Sequence, residues 1–280
     1  MPGRGAGRPT RRQFLLGGAV AGAGAAAAVG IDLSAHAVAG AGHNPGGPGP
    51  AATVSAPAAA FYGAHQAGIS TPPPAHAAYA ALDLLPATDR DGLRRMMRLL
   101  SDDAARLTRG GPALADLEGE LAAEPAALTV TFGFGAELVA RAGGTPPPWL
   151  RPLPPFAIDR LRPEYSGGDL LVQVASDDPI ALAHAVRVLL NDARGFATHR
   201  WTQRGFRRAR GIGKPGATMR NLFGQVDGTI NPVPGTADFD RVVWTTGERP
   251  GDGWLAGGTG VVIRRIRMDL DGWARLDRTG

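Results

Sequence analysis

Cysteine is missing from all 280 residues, which excludes disulfides, thiolate metal sites and cysteine nucleophiles together. Lysine occurs once, at Lys214, so the positive charge is carried by arginine. The histidines number six, at His36, His43, His65, His76, His184 and His199, and none is set in H-x-x-x-H or H-E-x-x-H spacing. That argues against a zinc site of the helical type. There is no G-x-S-x-G stretch, and with it goes the nucleophile elbow of a serine hydrolase. Aromatic residues make up 6% of the chain, while glycine (41) and proline (24) abound. With the excess of alanine and arginine, this reads as a GC-rich coding sequence more than as a functional choice. The hydrophobic fraction of 44% suffices for one large core or two modest ones.

The basic excess is local. Arg4, Arg8, Arg11 and Arg12 all precede the first acid, Asp32, and a weakly apolar Ala/Gly run follows them. Thr10-Arg11-Arg12-Gln13-Phe14-Leu15 fits the twin-arginine export pattern, and Ala35, Ala37 and Ala39 suit a small-residue cleavage site. The expectation is a signal peptide over 1–37, a twin-arginine translocase as partner, and a periplasmic or extracellular destination. The competing reading, a membrane anchor, suffers from the weak insertion of alanine and glycine. Removal of 37 residues takes away four arginines and one aspartate, leaving 26 basic residues against 24 acidic ones. The pI of about 10.5 is therefore no argument for nucleic-acid binding. Twin-arginine export carries folded proteins, often ones loaded with a cofactor.

Residues 38–60 are rich in Gly, Pro and Ala and read as a disordered linker. Order is expected from residue 61. Residues 75–85 read as a strand, and 89–107 place Leu93, Met96, Met97, Leu100, Ala104 and Leu107 at helical spacing. Residues 127–143 read as strand, glycine turn and short helix. "GDLLVQVAS" (168–176) is a buried strand, 178–190 a helix with Asp178 near its start, and 196–206 another strand. The order β-α-β-β-α-β predicts an α+β, ferredoxin-like (split βαβ) domain over 61–210. A second unit over 211–280 holds a strand with Val261, Ile263 and Ile266, then a turn at Asp271-Gly272, and reads as unfinished.

Two glycine motifs tempt and fail. "GIGKPG" (211–216) matches G-x-G-x-x-G, but no strand leads into it and Pro215 interrupts the helix it should open. "FGFGAEL" has Leu138 where the third glycine belongs. More telling is "NLFGQVDGTINP" (221–232), which sets Asp227 among Gly224, Gly228 and an Asn-Pro pair. Such chemistry is that of a turn.

Several segments together resemble the dye-decolourising (DyP-type) haem peroxidases, specifically the twin-arginine-exported branch that includes iron-uptake-associated, deferrochelatase-like members. They are "FYGAHQAGI" (61–69), "TFGFGAEL" (131–138), "GGDLLVQVASDDPIALAHAVRVL" (167–189), "QRGF" (203–206), "GIGKPGATMRNLFGQVDGTINP" (211–232) and "VVIRRIRMDLDGWARLDR" (261–278). The most specific is G-x-x-D-G at Gly224-Gln225-Val226-Asp227-Gly228. The resemblance implies two ferredoxin-like halves of the dimeric α/β-barrel type, with haem b held by the second, here incomplete. It places the distal acid on Asp227 and haem contacts on Gly228, Thr229, Ile230 and Asn231. It implies hydrogen peroxide and a bulky phenolic or dye-like reductant as partners, and leaves self-association open.

The family's proximal histidine lies some tens of residues past G-x-x-D-G, hence beyond residue 280, and its distal arginine further still. No residue of this chain is assigned as a metal ligand. The expectation is a C-terminally truncated chain, a poor catalyst as written, whose retention of haem is in doubt. A non-enzymatic haem or iron-handling role, or release of haem iron, is the alternative. His184, mid-helix, reads as a helix-surface or satisfied core residue. Tyr165, Trp201, Trp244 and Trp254 are available for surface electron transfer, but buried aromatics usually serve cores, and none is assigned that task.

Overall fold

The computed structural model describes residues 58–213, 218–248 and 252–276. The export signal and most of the linker expected over 1–60 lie outside them, as does Lys214. The elements run β1 (His76–Leu84), α1 (Arg90–Leu107), β2 (Thr129–Phe134), α2 (Ala136–Arg141), β3 (Leu170–Ser176), α3 (Pro179–Ala193) and β4 (Ala197–Phe206). The four strands form one sheet in the order β2-β3-β1-β4, each neighbouring pair antiparallel. This is the split βαβ arrangement, with α2 as a short addition after β2.

Local chemistry starts the long helices where the sequence indicates. Asp89 caps α1, its Oδ1 accepting from the amide of Gly92 at 2.7 Å. Asp178 caps α3 by accepting from Ile180 and Ala181, and Pro179 fits the first helical position because no amide is needed there. One stripe of α1 (Leu93, Met96, Leu100, Ala104, Leu107) faces Leu182, Val186 and Leu189 of α3 and the inner face of the sheet. Alternation supplies that face: Ala78, Leu82 and Leu84 from β1, Val130 and Phe132 from β2, Leu170, Val172 and Val174 from β3. Each large side chain buried there stabilises by roughly 1.5–3 kcal/mol.

The segment before β1 is laid on the sheet by polar contacts. The Gln66 side chain donates to the carbonyl of Phe132 (2.9 Å) and accepts from its amide (2.8 Å). An edge residue of β2 is thus satisfied by a side-chain amide acting as a short strand would. Thr131 Oγ1 donates to Ala67 O and Gln173 Nε2 to Gly68 O. Gly68 has φ +98°, and a Cβ there would stand 2.3 Å from Thr131 Oγ1, so only glycine fits.

Beyond β4 the outcome differs from the expectation. Two short helices form, α4 (Ala237–Val243) and α5 (Leu270–Ala274), and no described residue past Phe206 belongs to a named strand. Val261, Ile263 and Ile266 were expected in a strand, yet they carry no ladder and are 58%, 39% and 78% exposed. The reason is physical: strand geometry persists only against a partner, and no neighbouring strand is presented to them. Among the described residues after β4, Phe239 is the one buried apolar side chain, packed edge-on to Trp244. Trp244 stacks flat on His65 at 3.6 Å, and His65 Nδ1 meets the carbonyl of Gly257 at 2.7 Å.

Candidate functional site

Residues 219–231 form a small hairpin that carries the glycine-bracketed carboxylate. Arg220 and Val226 bridge antiparallel, the Asn221 amide donates to Gln225 O (2.9 Å), and the Asp227 amide donates to Met219 O (3.0 Å). A tight turn closes it, with the Gly224 amide on Asn221 O at 2.9 Å and Gly224 at φ +79°. Asparagine at the head of the turn explains why it holds. Asn221 Oδ1 accepts from the amides of Phe223 (3.0 Å) and Gln225 (3.2 Å). With the oxygen so engaged, its Nδ2 is turned toward Asp227 Oδ2, 3.4 Å away. Arg220 closes the back by donating to Gly224 O at 2.6 Å.

The hairpin is braced by α5. Trp273 Nε1 donates to Phe223 O at 3.1 Å, and the Phe223 and Trp273 rings are tilted 5.1 Å apart. Past Asp227, Gly228 takes φ +85°, and a Cβ there would lie 2.9 Å from Asn231 Nδ2. The Asn231 amide returns to Gly228 O at 3.3 Å. The five residues singled out in the sequence, Asp227 to Asn231, therefore lie together on one strand end and turn. All five are exposed, Ile230 at 94%. Among the described residues no cation pairs with Asp227. Asn221 and Trp273 were not singled out as positioning residues. An Asx residue three positions before a glycine was the legible signal for the first.

The remaining candidates fall elsewhere. His184 is 3% exposed, its Nε2 2.7 Å from Asp116 Oδ2, with Arg187 3.1 Å from its Nδ1 and in turn paired to Glu118. It is a satisfied core residue. Burial alone would raise the Asp116 carboxyl, but the Glu118 amide and His184 outweigh it and hold the group below the usual carboxylate range. None of the four aromatics considered for electron transfer is buried. Tyr165 lies under the Arg162 guanidinium, Trp201 donates to Gly167 O, Trp244 stacks on His65, and Trp254 is 48% exposed. Among the described residues no three His, Asp or Glu side chains converge as a metal site. No described helix is long and apolar enough to cross a membrane.

Known proteins match both parts of this description. The family model for the Dyp-type peroxidase N-terminal domain covers residues 66–207, and that for the C-terminal domain covers 218–279. The chain belongs to the DyP-type peroxidase family. It is 40% identical over 225 residues to the dye-decolorizing peroxidase of Thermobifida fusca, spanning 76% of this chain and 52% of that one. It is 33% identical over 232 residues to the deferrochelatase of Escherichia coli K12, spanning 77% and 54%. Among solved structures it resembles a DyP-type peroxidase from Cellulomonas bogoriensis (51% identity, TM-score 0.74, 80% of this chain and 62% of that one). It also resembles ferric DtpA from Streptomyces lividans (40% identity, TM-score 0.75, 83% and 63%). The chain thus spans about half the length of these curated relatives.

Proposed function

We propose that this chain is the N-terminal half and acid-bearing hairpin of a haem-dependent peroxidase that reduces hydrogen peroxide at the expense of a phenolic or dye-like reductant. The observation that carries the reading is Asp227. Its carboxylate is displayed on a glycine hairpin, inside the stretch matched by the C-terminal family model. The peroxidase relatives, and a ferric form among the solved ones, support haem as the cofactor.

The hairpin fits one face of such a group. A Cβ built at Gly224 meets nothing within 4 Å, so a flat ring can approach that side unhindered. Val226 (47% exposed) and Ile230 offer apolar surface that the chain's own core does not use.

Haem b, if bound beside this hairpin, would supply the redox-active iron that peroxide reduction requires. The Asp227 carboxylate takes the proton from one peroxide oxygen and delivers it to the other, which can then depart as water. Asn221 holds the receiving Oδ2 in place through its Nδ2. Gly228, Thr229, Ile230 and Asn231 form the contact surface beside it. Export by the twin-arginine translocase to the periplasm or beyond belongs to the same proposal and rests on Arg11-Arg12 and the apolar run behind them.

A direct test is peroxide-dependent dye bleaching by the whole chain mixed with haem, compared with Asp227→Asn. Bleaching that falls at least about a hundredfold in the variant supports the assignment. Equal rates in the two proteins sink it. The deferrochelatase relatives favour a second reading, release of iron from haem. Metal-free porphyrin accumulating without peroxide consumption would select it.

A further inference from the structure

A second site lies away from the hairpin. Between α1, the end of β2 and α2 runs an apolar groove of about 490 Å³, floored by the buried side chains of Leu93, Leu138 and Val139. Phe134 and Met97 continue the floor, and Trp254, 48% exposed, stands at its edge from the turn Gly253–Leu255. Its volume is that of a small-molecule site, and half-exposed aromatic walls suit a flat apolar body.

Charge distinguishes this groove from a bare apolar face. Among the described residues its charged lining is Arg90 and Arg94, with no acid. Arg94 is already paired with Asp91 at 2.9 Å, outside the groove. Arg90 has no ion-pair or hydrogen-bond partner among the described residues. Its guanidinium lies beside Gly143, 3.8–3.9 Å from where a Cβ would stand. Gly143 (φ +85°) and Gly144 end α2 with amides donating to Ala140 O and Val139 O, a glycine-dependent cap. A Cβ at Gly143 would reach only ordinary van der Waals contact with the guanidinium; it is the left-handed φ of +85° that reserves this cap for glycine. A planar, desolvation-tolerant cation thus stands at the open end of an apolar slot.

We propose that this groove binds an aromatic monocarboxylate, the ring system lying on Leu93, Leu138 and Val139 beside Trp254 and the carboxylate received by Arg90. The pairing is two-pronged: guanidinium and carboxylate match as parallel forks, and apolar walls strengthen the bond by excluding water.

The test is calorimetric titration of the full chain with 2-naphthoate and, separately, with 2-naphthylmethanol, which has the same rings and no charge. The expected result is at least about tenfold tighter binding of the acid, the worth of one charge-assisted pair. Arg90→Gln, at an exposed first-turn position of α1, should erase that preference and leave binding of the alcohol unchanged. Arg90→Lys should keep part of it. Equal affinities in the parent protein overturn the proposal, as does a preference that survives Arg90→Gln, or no binding of either probe. A concentration-dependent dimer that Trp254→Ala disperses would also overturn it, giving the groove to a second copy of this chain.

Discussion

Asn221 Nδ2 stands 3.4 Å from Asp227 Oδ2, while Asn221 Oδ1 accepts two amides of the same turn. One side chain therefore both closes the hairpin and faces the carboxylate that the hairpin presents. Asn221→Ala loses both, and bleaching by the haem-loaded chain is expected to fall about tenfold, the lower end for a supporting hydrogen bond. Asn221→Asp keeps the acceptor and places a second negative charge beside Asp227, which disfavours its ionised form. The pH profile of bleaching should then move toward alkaline values, with the turn intact. An unmoved profile in Asn221→Asp would show that residue 221 acts on the turn alone.

Gly224 and Gly228 differ in a way that substitution can read. Both have φ near +80°, but a Cβ at Gly224 meets open space, whereas one at Gly228 meets Asn231 Nδ2 at 2.9 Å. Alanine at Gly224 should cost about 1 kcal/mol of local stability, and at Gly228 about 2 kcal/mol, left-handed strain plus contact. Amide hydrogen exchange at Asn221 and Asp227, whose amides hold the hairpin together, is the measurement. Gly228→Ala should speed their exchange more than Gly224→Ala does. Equal exchange rates in the two variants would mean that Asn231 simply swings away.

Much of this fold is legible in the sequence, because the signals are local. Asp89 and Asp178 mark helix starts by caps that involve only the next three residues, and the stripe from Leu93 to Leu107 repeats at the helical period. The β-α-β-β-α-β order follows from such runs. The strand expected through Val261, Ile263 and Ile266 fails because alternation states a preference, whereas a strand also needs a neighbour. Long-range partners are hidden for the same reason. Gln66 pairs with Phe132, 66 residues on, and His184 with Asp116, 68 residues back. That distance is why His184 could be read as either surface or core.

The His184–Asp116 pair is closed from water on both sides, with side chains 1% and 3% exposed. Removing one partner strands the other, so Asp116→Ala is expected to cost about 3 kcal/mol or more in urea denaturation. The lowered Asp116 carboxyl adds stability that is present above its unfolded pKa and is lost as the pH falls through the folded one. The penalty of Asp116→Ala should therefore shrink in acid. A loss under about 0.5 kcal/mol at neutral pH would mean that His184 finds another acceptor.

A neighbouring carboxyl pair works in the opposite pH direction. Asp103 on α1 is wholly buried, with Oδ1 accepting from the Leu114 amide, and its Oδ2 and that of Asp192 on α3 are shut from solvent with no other partner. A hydrogen bond between the two carboxyls forms only if one of them carries a proton. Burial, then the charge and hydrogen bond of Asp103, then the charge of Asp116, push Asp192 up to about 7. The folded chain thus holds this proton harder than the unfolded one, whose Asp releases it near pH about 4. Stability from this group is whole below about pH 4 and drains away as the pH climbs to about 7, by about 2 kcal/mol once partial exposure is allowed for. Asp192→Asn supplies an N–H donor to Asp103 at every pH. Its stability relative to the parent chain should rise between about pH 4 and 7 and then level off. Parallel melting curves across that range check it, and a difference that stays constant with pH would show that Asp103 and Asp192 share no proton.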